Sequence, residues 1–170
     1  MDLLWSPWRS EYIDTFNSGE GEKEKKEECF ICGAVHDLEH DKERLVVART
    51  GLCIALMNRY PYNGGHLLIA AKRHIGDITE LTDEEANEIM RLSRIAIKVL
   101  REISSPHAFN IGMNMGRSAG AGLPGHLHQH IIPRWNGDVG FVTSVCDMKV
   151  ISQALDRTRD AVAEAFTHYL

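Results

Sequence analysis

Three histidines within five residues, His126, His128 and His130, are the feature of this chain best suited to chemistry. In an extended segment side chains alternate faces, so a strand over 126–132 puts all three imidazoles on one face, stepping about 6.6–6.8 Å. Leu127 and Ile131 then point the other way, into a core. Each ring brings two nitrogens that need partners, which makes three in register poor core packing and a good site. Two chemistries fit. His-x-His on a strand can place two imidazoles on one Zn²⁺, and an open three-histidine site activates water. Alternatively, a neutral imidazole attacks an electrophilic phosphorus and is oriented through its other nitrogen. Just upstream, Gly116, Gly120, Gly122 and Gly125 remove side chains, so backbone amides can approach a phosphate closely. That loop suits phosphoryl chemistry, although a plain connection between strands has the same composition.

Cys29-Phe-Ile-Cys32 is the other spacing with chemical meaning, compatible with zinc or with thiol redox. A redox pair normally opens a helix after a strand in a βαβ setting. Here the charged run Gly19–Glu28 precedes it, so redox is the weaker reading and no redox cofactor is expected. Cys53, within Leu52–Met57, reads as a small buried hydrophobe, and Cys146 carries no signal.

The elements that must position these groups follow from patterning. The 170 residues suit one domain. An aromatic arm over 1–18 (Trp5, Trp8, Tyr12, Phe16) and a mixed-charge mobile connection over 19–28 lead into a single domain over 29–170. Strands are expected at 44–49 and 52–57 around a turn at Thr50-Gly51, at 66–71, at 108–116 and at 126–132. Thr82-Asp-Glu-Glu85 is a capping box. Behind it Ala86, Ile89, Leu92, Ala96, Val99, Leu100 and Ile103 form one helical stripe that Pro106 stops. A second amphipathic helix carries Ala154, Leu155, Thr158, Val162, Ala165 and Phe166. The order β-β-β-α-β-β-α points to an α+β fold, a five-stranded antiparallel sheet with helices packed on one face.

Composition sets the limits on partners. A net charge of −5 provides no global positive field, so nucleic acid is not an expected partner and any phosphate must be met by a local site. No apolar run approaches the ~18 residues of a membrane span, so no membrane partner is expected. The start Met1-Asp-Leu-Leu-Trp-Ser-Pro-Trp-Arg9 is not a secretory signal, and a cytoplasmic location is expected.

The segment His126-Leu-His-Gln-His-Ile-Ile132 resembles the signature of the histidine-triad superfamily, with Gln129 polar where that family usually has an apolar residue. Asn58-Arg-Tyr-Pro61, Gly65-His66-Leu-Leu-Ile69, Lys72-Arg-His74 and Asn114-Met-Gly116 are similar to family blocks in order and spacing, over roughly residues 29–135. Trp5-Ser-Pro-Trp-Arg9, the Cys29/Cys32 pair, the loop Gly116–Gly122 and Pro133-Arg-Trp135 look like the bacterial branch containing diadenosine tetraphosphate phosphorylases.

The resemblance implies a homodimer that binds a nucleotide substrate and inorganic phosphate. His128 would be the nucleophile on the α-phosphate of a dinucleoside polyphosphate, forming a nucleotidyl-histidine, with His130 and His66 positioning or protonating around the phosphate. Asn58 would hold the ribose and Asn114 the phosphate side, with apolar residues near 54–60 around the base. Relatives that carry Gly-Gln-Ser/Thr before the triad have polar contacts which Gly122-Leu-Pro-Gly125 lacks. Amides of 118–122, with Arg117 or Ser118, would then bind phosphate as second substrate, alongside Gly116, Gly120 and Gly122. Lys72, Arg73 and Arg134 are further phosphate candidates. The resemblance also implies a structural zinc on Cys29, Cys32, His74 and His126, a closed site that removes His126 from the chemistry. A hydrolase of the same family and a low-turnover nucleotide-binding protein are the alternatives.

Overall fold

The computed structural model describes residues 29–139 and 154–170. The expected arm over 1–18, the connection over 19–28 and Cys146 lie outside the described residues. The elements are α1 (Phe30–His36), β1 (Val46–Arg49), β2 (Cys53–Met57), β3 (Leu67–Ala71), a 3-10 turn (Ile78–Glu80), α2 (Asp83–Ser104), β4 (Ala108–Met113), a second 3-10 turn (Arg117–Ala119), β5 (His128–Arg134) and α3 (Leu155–Phe166). The five strands form one antiparallel sheet in the order β1-β2-β3-β5-β4.

β2 and β3 are apolar without interruption because both faces of the sheet are covered. Cys53, Ala55, Met57, Leu67, Ile69 and Ile131 face α2 and α3. Ile54, Leu56, Leu68 and Ala70 face the opposite way, onto Cys29, Ile31, Ala34 and Leu123. The expectation of helices on one face therefore holds for α2 and α3 but not for α1, which lies on the other side. No starting signal marks α1 in the sequence. It has seven residues, and its N-cap is Cys29, whose Sγ accepts from the Cys32 amide at 3.4 Å. Ser, Thr, Asp and Asn are the residues that ordinarily announce a helix start.

The capping box of α2 forms as expected: Thr82 Oγ1 accepts from the Glu85 amide, and Glu85 Oε2 from the Thr82 amide. Glu85 also accepts from Arg73 at 2.6 and 2.7 Å and is buried, whereas Ala86 is exposed, so the stripe begins at Ile89 rather than Ala86. The helix ends at Ser104, with Ser105 left-handed at φ 45° just before Pro106, because a residue preceding proline resists the α region. β1 begins at Val46, two residues later than expected, since Leu45 sits at φ 61°. β4 ends at Met113. β5 begins at His128 rather than 126, so His126 precedes the strand and only two of the three histidines share its ladder.

Candidate active site and metal centre

β3 and β5 bring the proposed reacting histidines together. Leu68 pairs with His130 and Ala70 with His128, and His66 lies immediately before β3 on the same side. Gly65 makes that approach possible at φ +75°, where a Cβ would come within 3.0 Å of Leu100 and 3.3 Å of Pro133.

Three backbone groups then decide where the ring protons sit. A peptide amide can only donate and a carbonyl can only accept. The Tyr62 amide donates to His66 Nδ1 at 3.1 Å, so a neutral His66 carries its proton on Nε2. That nitrogen lies 2.9 Å from His130 Nδ1, which must accept, leaving the His130 proton on its own Nε2. His128 Nδ1 is 2.8 Å from the His126 carbonyl and donates to it, which leaves Nε2 of His128 with a bare lone pair. His126 Nε2 is 2.9 Å from the Ala71 carbonyl and donates there, so its Nδ1 presents a lone pair to Cys29 Sγ at 3.3 Å and Cys32 Sγ at 3.5 Å.

Burial keeps these rings neutral. It holds His66 down at about 3, with His130 and His128 nearby adding to the effect, and His130 at about 4. His128 is also lowered by burial, opposed by the carbonyl of His126. In the unfolded chain the ordinary value is 6.5. Between the folded and unfolded values the unfolded state binds more protons, so stability rises with pH through that window and is flat above it. We expect thermal unfolding to be insensitive to pH between about 7 and 8 and to fall steadily on acidification from about 6.5 toward 4. The decline should be shallower in His130→Asn; equal slopes would show that the histidine pair does not set it.

The loop carrying the Tyr62 amide is clamped. Asn63 is buried and its Nδ2 donates to the Pro133 carbonyl at 3.0 Å and to Asp138 Oδ2 at 2.7 Å. Arg134 donates twice to Asp138, at 2.7 and 2.9 Å, and holds that carboxylate well below the usual range. Asn58 accepts from the Tyr60 amide at 2.9 Å and donates toward His66 Nδ1 at 3.3 Å.

The glycine-rich loop is partly self-satisfied. The amides of Ala119, Gly120 and Ala121 bond to the carbonyls of Gly116, Arg117 and Gly116, so three of the amides expected to meet phosphate are engaged within the loop. Asn114 Nδ2 donates to the Gly120 carbonyl at 3.3 Å. Arg117 and Ser118 lie in the 3-10 turn, with Gly116 and Gly120 at its ends and Gly122 just beyond. The other basic candidates have structural work: Lys72 donates to the Thr50 carbonyl, Arg73 binds Glu85 and Arg134 binds Asp138. Ile54 and Leu56, expected near a base, are fully buried in the second core.

Cys29, Cys32, His74 and His126 converge, their ligand atoms all within 4.8 Å of one another. Cys32 Sγ lies 3.1 Å from His74 Nδ1. Burial pushes the Cys29 thiol up to about 11, a cost that a bound cation reverses. Two sulfurs and two imidazoles with no open position suit a closed tetrahedral zinc, and the Ala71 carbonyl supplies the outer hydrogen bond that fixes a ligating histidine. The cluster is held in place by a close backbone approach. A Cβ on Gly76 would meet the Pro124 carbonyl at 2.7 Å, and the Leu127 amide donates to the Ile75 carbonyl at 2.6 Å. Gly76→Ala should therefore displace the segment entering His126 and cost about 1–3 kcal/mol, read as a lowered midpoint in urea. An unchanged midpoint would show that the contact yields freely.

A HIT domain family model matches residues 39–137, more than half of the chain. An AP-4-A phosphorylase from Mycobacterium tuberculosis is 40% identical over 163 residues, covering 96% of this chain and 83% of that protein. The chain belongs to the HIT domain family. An asymmetrical bis(5'-nucleosyl)-tetraphosphatase of Schizosaccharomyces pombe is 36% identical over 93 residues, covering 55% of this HIT protein and 50% of that one. Among solved structures, a zinc-bound histidine triad family protein from Mycobacterium smegmatis superposes with a TM-score of 0.67 over 85% of this chain and 97% of that one, at 19% identity. That likeness shows the shared HIT fold.

Sequence reasoning missed the Tyr62 amide, the Ala71 carbonyl and the Asn63–Asp138 clamp. The first two act through the backbone and leave no side-chain signal. The four histidines given no role, His36, His40, His107 and His168, are all exposed.

Proposed function

We propose that this HIT protein is a nucleotidyltransferase that cleaves diadenosine tetraphosphate by phosphorolysis. The observation that carries the reading is the 2.8 Å bond from His128 Nδ1 to the His126 carbonyl, which leaves a bare lone pair on His128 Nε2, while the neighbouring His130 ring, its centroid 5.0 Å away, carries its proton on Nε2. His128 Nε2 attacks the α-phosphorus and the bond to the bridging oxygen breaks, so ATP leaves and an adenylyl group remains on the ring. The proton stays on His128 Nδ1, and its hydrogen bond to the His126 carbonyl offsets the positive charge the ring acquires. His130 Nε2–H, backed by His66, donates to the oxygen that gains charge. Inorganic phosphate then attacks the adenylyl phosphorus, releases ADP and restores His128.

Two further features support this reading. The 40% identity to an AP-4-A phosphorylase extends over nearly the whole chain. Leu123, in the stretch where hydrolytic relatives carry a polar residue, is buried in the second core and offers the phosphate no hydroxyl or amide. Asn58 and Asn114 hold the ribose and phosphate sides, with Arg117, Ser118 and the loop glycines around phosphate. A zinc on Cys29, Cys32, His74 and His126 ties α1 to the entrance of β5 and takes no part in the bond changes. A second copy pairs along β4, an edge strand with mostly exposed residues and Ile111 48% accessible. The reaction runs in the cytoplasm, which keeps the cysteines reduced.

Offering diadenosine tetraphosphate with and without phosphate tests the reaction. ADP plus ATP only when phosphate is present is the expected outcome. AMP plus ATP regardless of phosphate would replace phosphorolysis by hydrolysis, and tight binding without products would leave a nucleotide-binding protein.

A further inference from the structure

We infer that Tyr62 is a stacking platform for the base of the second, departing nucleoside, so that the site is built for dinucleoside rather than mononucleoside polyphosphates. This rests on the phosphorolytic reading above. The Tyr62 ring lies against both histidines on the leaving-group side, with centroids 4.9 Å from His66 and 6.0 Å from His130, and only 24° from parallel with the latter. It nevertheless keeps 49% of its surface accessible. A ring packed on two imidazoles and still half open is immobilised without being used up.

Two further observations point to a ligand rather than to packing alone. The loop is stiffened at the Tyr62 position: Pro61 precedes it, the Tyr62 amide is fixed on His66 Nδ1, and the next residue, Asn63, is buried and bonded to the Pro133 carbonyl and Asp138. Tyr60, two residues earlier in the same loop, is 81% exposed, so this loop offers two aromatic rings to solvent. Exposing such rings is unfavourable in water, whereas a nucleobase stacks on them whatever its identity. By contrast Ile54 and Leu56, which precede Asn58 on β2, are sealed in the core. In the phosphorolytic reading the His130 Nε2–H donates to the departing oxygen, so a leaving ATP carries its base away from the phosphorus on that side.

The test compares diadenosine tetraphosphate with adenosine 5'-tetraphosphate, which has the same phosphates and lacks only the second nucleoside. Affinities are measured calorimetrically on full-length His128→Ala, where nothing turns over, and on His128→Ala with Tyr62→Leu, which keeps the amide on His66. Diadenosine tetraphosphate should bind about tenfold or more tightly than the mononucleoside ligand, and Tyr62→Leu should bring the two affinities together. Tyr62→Trp should restore the difference. Equal affinities with Tyr62 in place, a difference that survives Tyr62→Leu, or binding of neither ligand overturns the proposal. Wild-type turnover is assayed separately: a Tyr62-dependent difference in binding, together with phosphate-independent products, would sink phosphorolysis alone and leave the platform standing.

Discussion

Replacing His128 by alanine is expected to abolish turnover of diadenosine tetraphosphate, by roughly 10³-fold or more, while nucleotide affinity stays within a few fold. The asymmetry follows from the geometry. His128 contributes a lone pair whose direction is set by one hydrogen bond to the His126 carbonyl, so its removal deletes the new bond in the first step. The substrate contacts proposed for Asn58, Asn114 and the glycine loop are untouched. His130→Ala should be milder, because it removes a donor to the leaving oxygen rather than the nucleophile. It should also be more severe with poorer leaving groups, since those depend most on protonation. Steady-state rates alongside calorimetric affinities separate the cases, and an unchanged rate in His128→Ala would remove the nucleophile assignment.

The second large effect concerns the metal. Wild-type protein should contain about one zinc per chain and Cys32→Ser almost none, because Cys32 Sγ lies within 3.1–3.5 Å of both His74 and His126 Nδ1. Loss of the ion leaves two buried thiols and two imidazoles without the charge that suits them, and releases α1 from the start of β5. A structural zinc contributes folding free energy outright, so a substantial part of the typical ~5–15 kcal/mol stability of a domain should go with it. Elemental analysis and unfolding midpoints check both halves. Equal low zinc in the two proteins would remove the metal, and equal zinc with an unchanged midpoint would move it elsewhere. Activity should fall as well, because His126 joins the cluster through its ring and holds His128 through its carbonyl.

Much of this arrangement was legible in the sequence, and the reasons differ by element. The capping box at Thr82 and the stripe from Ile89 to Leu100 follow from side-chain spacing alone, and α2 forms as expected. The five strands follow from apolar runs and the shared face of His128 and His130 from the His-x-His pattern, whereas His66 was placed beside them only by the family resemblance. α1 was not legible because seven residues capped by a cysteine look like a loop that happens to hold two thiols. The phosphate loop was over-read: glycines announce that amides are accessible, but Ala119, Gly120 and Ala121 use theirs to close the turn. Arg73 and Arg134 illustrate the limit of charge as a signal. Their carboxylate partners, Glu85 and Asp138, are 12 and 4 residues away in sequence, and nothing in the residue types separates an anchoring arginine from one that meets phosphate. The tautomers lie deepest, since the Tyr62 amide and the carbonyls of Ala71 and His126 belong to the backbone.

The central claim, that a bare Nε2 on His128 becomes covalently nucleotidylated, is tested most directly by intact-mass analysis of the protein mixed with diadenosine tetraphosphate in the absence of phosphate. One adenylyl group per chain, located on His128 by peptide mapping and discharged as ADP when phosphate is added, is the predicted result. Turnover that proceeds with no adduct at any time, or an adduct on a different residue, would contradict it.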